Sequence, residues 1–244
     1  MLERALRALA RRRRVQAAGM RLWWLARVDP WLWRSARARA RRMAHFAAVE
    51  RSSATDLRLA ARLCAEPARA ALYLRHASDE TRHARSFHAQ AVRLAHAAGD
   101  PAPLPPRAQC ESLYEQLGER DFLAFVHLAE ARGRRQFEIH AASLARRIDA
   151  ELAAAFTAVL EDERRHEQYS WDELLAVTGS PQQARARVRA LRAWEAWRGF
   201  RRLGRNTGRA LYRACAALLY ALCIPLRPLL PPARRSGLLP PAEN

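Results

Sequence analysis

Two copies of one pattern, Asp-Glu-x-Arg-His, occur in this chain: DETRH at residues 79–83 and DERRH at residues 162–166. In each copy the glutamate and the histidine are three positions apart, so on a helix both side chains point the same way and can bind one target. Glu80 with His83 and Glu163 with His166 are therefore candidate metal-ligand pairs. One such pair carries little weight, but its repetition indicates a shared role.

A lone glutamate precedes each pair by about one helix length: Glu50 before Glu80, and Glu130 before Glu163. Ionised carboxylates do not enter a helical core unpaired, and four that converge would repel one another. Two cations between them remove both penalties. The sequence therefore predicts a dinuclear site with six ligands from four helices: Glu50, Glu80, His83, Glu130, Glu163 and His166. Mixed oxygen and imidazole donors favour two iron ions, with manganese as the alternative.

The other members of the repeat are candidates for supporting these ligands. A metal-bound histidine usually donates its second ring proton to a carboxylate or carbonyl. Asp79 and Asp162 are turned about 100° from the ligand glutamates on a helix, so each can reach the histidine of the opposite helix pair. Arg82 and Arg165 would then pair with these aspartates. The alternative is that all four side chains face solvent.

Four more side chains fall near the predicted site in helical register: His76, His127, Tyr73 and Tyr169. Each histidine stands one turn before a ligand glutamate and is either an added ligand or a hydrogen-bonded core residue. The tyrosines are either pocket residues that relay electrons or ordinary core residues. Glu138 is the rival of Glu130, but it is about 80° off the ligand face.

Helical periodicity, scarce glycine and few β-branched residues predict an all-α fold. Four helices carry the site, and the proline-rich segment DPAPLPP at 100–106 is read as a long crossover between two hairpins. Three regions are expected: a basic, tryptophan-rich leader at 1–34, a four-helix bundle at 35–179, and a C-terminal helical extension with a proline-rich tail at 180–244. The helices are predicted at 35–64, 67–98, 120–147 after a short helix at 111–117, 149–177, 181–203 and 210–224, with a turn at 204–208.

With the two pentapeptides and the two lone glutamates, residues 35–178 resemble the ferritin-like diiron carboxylate superfamily, which includes rubrerythrins and diiron monooxygenases. The resemblance implies a ferritin-like four-helix bundle with a long crossover, a diiron site and oxygen or peroxide chemistry. It also implies that Glu80, with Glu130 or Glu163, bridges the metals. The chain lacks the four-cysteine module that many rubrerythrins carry, and position 133, where they have an extra glutamate, is Gly. Both departures weigh against a peroxidase.

The net charge is +19, and all 43 basic residues are arginine. Arginine suits phosphate recognition, but a GC-rich genome also favours it, so a nucleic-acid partner receives weak support. The basic leader and the apolar segment 210–224 predict either peripheral membrane contact or two more packed helices. The cysteines form no Cys-x-x-Cys pair, and no secretion signal or membrane-spanning run is read, so we expect a cytoplasmic protein, with the inner membrane face as a further option.

The function that these residues predict is a non-haem diiron oxidase or hydroxylase, which uses dioxygen to oxidise a small-molecule or lipid-like substrate with an electron-donor protein. One alternative is an iron-binding ferroxidase or peroxidase of the ferritin or rubrerythrin type. Two others are a tRNA-modifying diiron hydroxylase and a membrane lipid or quinone oxidase.

Overall fold

The structure is a computed structural model that describes residues 33–147 and 149–224. These residues form helices and contain no strand, so the all-helical prediction is confirmed for the described part of the chain. The helices are α1 (Ala36–Leu63), α2 (Pro67–Ala97), α3 (Leu113–Arg147), α4 (Ala150–Thr178) and α5 (Pro181–Cys223). Most of the predicted leader and the whole proline-rich tail lie outside the described residues.

Local signals place the ends of α1, α2 and α4 within a residue or two of their predicted positions. Ser35 caps α1 by accepting a hydrogen bond from the Ala38 amide at 3.1 Å, and Pro67 occupies the first turn of α2. Asp149 caps α4 by accepting from the Leu152 amide at 3.0 Å. Gly179 ends α4 in the left-handed conformation, with φ of 71°.

Two glycine-containing segments differ in their outcome. Gly118 has φ of 71° and ψ of 167°, so α3 bends there between a short first part and a long second part, as the sequence predicts. The predicted turn at 204–208 is wrong, because α5 runs unbroken from Pro181 to Cys223. Gly204 and Gly208 each weaken a helix by about 1 kcal/mol relative to alanine, but neither forbids it.

Helix α1 packs along α2, and α3 packs along α4; the two pairs meet through α2 with α4 and α1 with α3. The connection from α2 to α3 follows α1 along most of its length. Asp100 pairs with Arg37 near the start of α1, at 2.6 Å. Near the other end, Asp56 accepts hydrogen bonds from the backbone amides of Glu111 and Leu113. This connection brings the second helix pair back so that α3 runs antiparallel to α1.

An aromatic cluster fills one end of the core. Phe46, Phe87, Phe137 and Phe156 are buried, with ring centroids 5.4–5.8 Å apart. Trp33 packs edge-on to Phe156 and is fully buried, although the sequence assigns it to the leader. The rings hold helices from both pairs together.

The described residues up to Arg192 form one compact unit, and those from Ala193 form another. The candidate ligands all lie in the first unit. Within the described part of the chain, no helix combines the length and the apolar character that crossing a bilayer requires.

Candidate metal centre

Side chains from α1, α2, α3 and α4 meet inside the first unit. The six predicted ligands are all buried, each with at most 7% of its surface exposed: Glu50, Glu80, His83, Glu130, Glu163 and His166. Ligand atoms of Glu50, Glu80 and His83 lie within 4.8 Å of one another, and so do those of His76, Glu80, Glu130 and His166. The four helices therefore converge on two adjoining groups of ligand atoms that share Glu80.

Glu80 lies at the centre of this cluster. Its Oε1 atom is 3.6 Å from Nδ1 of His83, 3.7 Å from Nδ1 of His166 and 3.3 Å from Nε2 of His76. Glu163 is on the His83 side, with Oε1 3.7 Å from Nδ1 of that ring. Glu130 is on the His166 side, with Oε2 3.8 Å from Nδ1. Each histidine is thus flanked by the Glu80 carboxylate and by one glutamate of the second helix pair.

The unsatisfied polar atoms of the cluster fit metal ions. Nδ1 of His83, Nδ1 of His166, Nε2 of His76 and Oε1 of Glu80 have no hydrogen-bond partner among the described residues. Two donor atoms that each lie ~2.1 Å from one ion are ~3.0–3.4 Å apart. The distances between histidine nitrogens and glutamate oxygens in this cluster, 3.3–3.8 Å, are only slightly longer. Buried polar atoms without partners are costly, and a cation would satisfy all four together. The oxygen and imidazole donors suit iron or manganese.

The other nitrogen of each of these two histidines is held by an aspartate from the opposite helix pair. Nε2 of His83 is 2.9 Å from Asp162, and Nε2 of His166 is 3.1 Å from Asp79. These contacts follow the crossing pattern predicted from the repeat. An aspartate on Nε2 holds the proton there, so it leaves the Nδ1 lone pair facing the cluster.

Two arginines cover these aspartates. Arg82 forms ion pairs with both Asp79 and Asp162, and so does Arg165. Hydrogen bonds from histidine and arginine outweigh partial burial and lower the pKa of both aspartates. The aspartates therefore stay ionised. Each arginine is about half exposed, so this network closes one side of the cluster at the protein surface.

Three of the four ligand carboxyl groups shift in the opposite direction, whereas, despite burial, the neighbouring His76 and His166 lower the pKa of Glu130 below its ordinary value. Burial, with repulsion from neighbouring carboxylates, raises the pKa of Glu50, Glu80 and Glu163 well above the ordinary value of 4.5. Burial also lowers the pKa of His76 to about 3, so this imidazole is neutral at physiological pH. Without cations the cluster retains protons on carboxyl groups; with cations these protons are released.

Of the four additional candidates, two lie at the ligand cluster and two lie away from it. His76 belongs to the cluster, and its Nδ1 atom is 2.7 Å from the hydroxyl of Tyr169, whose pKa is raised by burial. His127 lies elsewhere, with Nδ1 3.1 Å from the backbone carbonyl of Glu167. Tyr73 packs its ring against Phe122, and its hydroxyl has no hydrogen-bond partner among the described residues. Glu138 pairs with Arg134 at 2.8 Å, away from the cluster.

A cleft between α1 and α3 leads to the ligands. Its volume is about 620 Å³, within the range typical of small-molecule sites. Glu50, Glu80, Glu130 and Glu163 lie at its floor. Buried apolar side chains form its inner walls: Phe46, Leu57, Phe122, Val126 and Phe137. All five residues occur at helical spacing from Glu50 or Glu130, but this spacing alone does not predict a cleft.

Gly133 keeps this cleft open beside the ligands. It lies one turn after Glu130, and a Cβ atom at this position would be 3.1 Å from Oε2 of Glu163. Such a contact is tighter than ordinary van der Waals packing, so a larger residue would displace the carboxylate. Gly133, where the resemblance to rubrerythrins predicts a glutamate, therefore makes room for the ligand from α4.

Comparisons with known proteins add no identification, since no family model, curated protein or solved structure matches this chain.

Proposed function

We propose that this protein is a diiron carboxylate oxidase or hydroxylase with a ferritin-like four-helix bundle, which uses dioxygen to oxidise an organic substrate. The observation that carries the proposal is one arrangement: a cleft with apolar walls ends at four buried glutamates, which belong to a cluster of six buried carboxylate and imidazole ligands. The ligand set matches the dinuclear pattern of such bundles, with one glutamate from each of two helices and Glu-x-x-His from each of the other two.

Glu80 belongs to both groups of ligand atoms, so it would help to hold each of the two metal ions of the proposed site. Its Oε1 atom lies between Nδ1 of His83 and Nδ1 of His166, at 3.6 and 3.7 Å. Glu50 and Glu163 complete the His83 side, and Glu130 completes the other side. Two ferrous ions bound there would supply the electrons that reduce dioxygen.

The surrounding residues have separate tasks in this mechanism. Asp79 and Asp162 keep the protons of the two ligand histidines on Nε2, so that Nδ1 is a permanent lone-pair donor. In the tautomer whose Nδ1–H group donates to the Tyr169 hydroxyl, Nε2 of His76 is available as an additional ligand beside Glu80 and Glu130. The phenylalanine walls exclude water from the approach to the metals and hold an apolar substrate beside them.

The cleft also favours this function over iron storage. A ferroxidase needs a path for hydrated ferrous ions, and acidic side chains along the path would attract them. Here the inner walls are phenylalanine, leucine and valine, while Arg41, Arg42 and Arg132 line the cleft nearer the surface. An approach lined by arginine and apolar side chains suits an organic molecule better than a divalent cation.

The test begins with metal content. Protein loaded anaerobically with ferrous ion should bind about two irons per chain, and the bound iron should develop a visible absorption band after exposure to oxygen. Glu163→Gln should lower the iron content substantially. Glu138→Gln should leave it unchanged, because this rival glutamate is partly exposed and pairs with Arg134. Oxygen consumption with a chemical reductant then measures turnover.

Several results would contradict the proposal. One zinc per chain, or no metal at all, would remove the dinuclear site. Iron that binds equally well to the Glu163 variant would place it elsewhere. Two irons that oxidise at a rate proportional to added ferrous ion, with mineral accumulation, would establish a ferroxidase in place of an organic oxidase.

A further inference from the structure

We propose that the organic substrate is an amphipathic anion, with a carboxylate or phosphate headgroup at the rim of the cleft and an apolar body that reaches the metal ligands. This inference rests on the proposed function and adds the substrate class. It starts from the two ends of the cleft, which differ in charge.

Helices α1 and α3 are antiparallel, so the ends of the cleft can be read from residue numbers. Asp56 accepts a hydrogen bond from the Leu113 amide at one end, and Phe46 contacts Phe137 at the other, with ring centroids 5.5 Å apart. Arg41, Arg42 and His45 of α1 therefore lie at the Phe46 end of the cleft, with Gln136 of α3, whereas Arg132 is five residues before Phe137 and lies about level with Glu50. Since Asp56 lies at the opposite end and the glutamates on the floor, Arg41, Arg42 and His45 form a basic rim.

The rim and the floor are separated by apolar surface. Arg41 and His45 are exposed, whereas Phe46 and Phe137 are buried. Arg42 is eight residues before Glu50, or about 12 Å along the helix axis. A substrate whose anion contacts the arginines therefore extends an apolar body across the two phenylalanines toward the ligands.

Charge complementarity decides which end of the substrate is where. A cationic headgroup at the rim would meet arginines of like charge, whereas an anionic one would be attracted there, and the buried phenylalanines beyond the rim suit the apolar body. Arginine binds carboxylate and phosphate alike, with two parallel hydrogen bonds. The remaining arrangement, anion at the rim and apolar carbon at the metals, presents a C–H bond to the oxidising centre.

The experiment uses four ten-carbon probes that share an apolar chain: decanoate, decyl phosphate, decanol and decyltrimethylammonium. Their affinities for manganese-loaded protein are measured by calorimetry, below the concentrations at which they form micelles. Decanoate and decyl phosphate should bind on the order of ten-fold or more tightly than decanol, and the cation should bind weakest. The ratio of the first two distinguishes a carboxylate substrate from a phosphate.

Three variants locate the binding. Arg41→Gln with Arg42→Gln should abolish the preference for anions and leave decanol binding unchanged. Arg85→Gln with Arg135→Gln removes two exposed arginines that do not line the cleft, and should keep the preference. Ala129→Phe, at a lining position of α3, should weaken binding of all four probes.

Decanol binding as tight as decanoate overturns the inference, and so does an equal loss of preference in the two double variants, since net charge would then explain it. If a short single-stranded RNA displaces the bound probe and lipid-like anions do not, the arginines bind RNA and the inference is wrong. The manganese-loaded protein measures binding without oxidation. If it binds the anions but the iron-loaded protein consumes no oxygen with them, the proposed oxidase is refuted and the anion site stands. If the iron-loaded protein oxidises only a neutral substrate, the oxidase stands and the anion site is refuted.

A second inference rests on the other compact unit. From Ala193 to Cys223, helix α5 carries exposed apolar side chains along one face: Trp197, Phe200, Leu211, Leu218 and Leu222, each more than half exposed. Arg198, Arg209 and Arg213 fall on the opposite face by helical register, and the Arg198 guanidinium stacks 4.6 Å above Trp194. We infer that this helix binds the surface of an anionic bilayer, with the leucines in the acyl region and the arginines at the phosphates.

Vesicle flotation of the full chain tests this second inference. Vesicles with about 30% anionic lipid should carry the protein upward in the gradient, and neutral vesicles should not. Leu211→Glu with Leu218→Glu should abolish flotation, whereas Arg85→Gln with Arg135→Gln should not. Flotation that survives the two glutamate substitutions, or that is equal with neutral vesicles, overturns the inference.

Discussion

Replacing Glu80 by glutamine should have opposite effects on stability with and without metal. Glu80 and Glu130 place carboxylate oxygens in a group whose ligand atoms lie within 4.8 Å of one another. Two full charges at that separation repel by about 3.5 kcal/mol in an effective dielectric of 20. Because the buried carboxyl groups protonate in part to avoid this, we expect glutamine to stabilise the metal-free protein by about 1–2 kcal/mol.

The assay is thermal unfolding followed by circular dichroism, first in a chelator and then with manganese. In the chelator, Glu80→Gln should unfold about 2–8 °C above the wild type. With manganese at one hundred times its dissociation constant, the wild type should gain about 2.7 kcal/mol and the variant almost nothing. Glu138→Gln is the matched control and should stay within about 0.5 kcal/mol of the wild type in both conditions.

One outcome would refute this reasoning. If Glu80→Gln unfolds at a lower temperature than the wild type in the chelator, its carboxylate supports the fold through contacts that glutamine cannot replace. Repulsion between converging charges would then not be the dominant energy in the metal-free cluster, and the case for cations as its remedy would fall.

Three further predictions follow from the site. Asp162→Asn should weaken metal affinity about 10–100-fold, because it no longer fixes the His83 proton; competition with a coloured chelator measures this. Gly133→Ala should lower the metal affinity by crowding Glu163, whereas Gly199→Ala, with open space around it, should stabilise its helix by about 0.5–1 kcal/mol in thermal unfolding. The pKa values of three ligand carboxyl groups are raised, so the metal-free protein should lose stability as pH rises above 4.5, and melting curves from about pH 5 to 8 test this. Metal binding should release protons, which an indicator dye detects, and the metal affinity should rise with pH.

The candidate ligands could be predicted from the sequence because their signals are local. Helical spacing decides that Glu80 and His83 point the same way, whatever the rest of the chain does. The contact of Asp79 with His166 required one more assumption, that two similar hairpins pack face to face. Serine, aspartate and glycine caps likewise mark helix ends through neighbouring backbone groups alone.

Other features depend on distances between helices, which spacing along one helix does not determine. The width of the cleft follows from how α1 and α3 separate along their length, and the aromatic rings that line it look like ordinary core residues in the sequence. Gly133 has meaning only once Glu163 is known to lie 3.1 Å from where its side chain would be. The turn predicted at 204–208 is an error of the opposite kind, because local turn signals there were too weak to interrupt a continuous helix.

The exchanged aspartate–histidine contacts make the two helix pairs interdependent. Asp79 holds the histidine of the second pair and Asp162 holds that of the first, so neither pair alone can orient its own imidazole. A chain cut in the connection between α2 and α3 would therefore yield two fragments that are each deficient in metal binding. Their mixture would recover it only by reassembly, which would make metal uptake a direct readout of complementation between the halves.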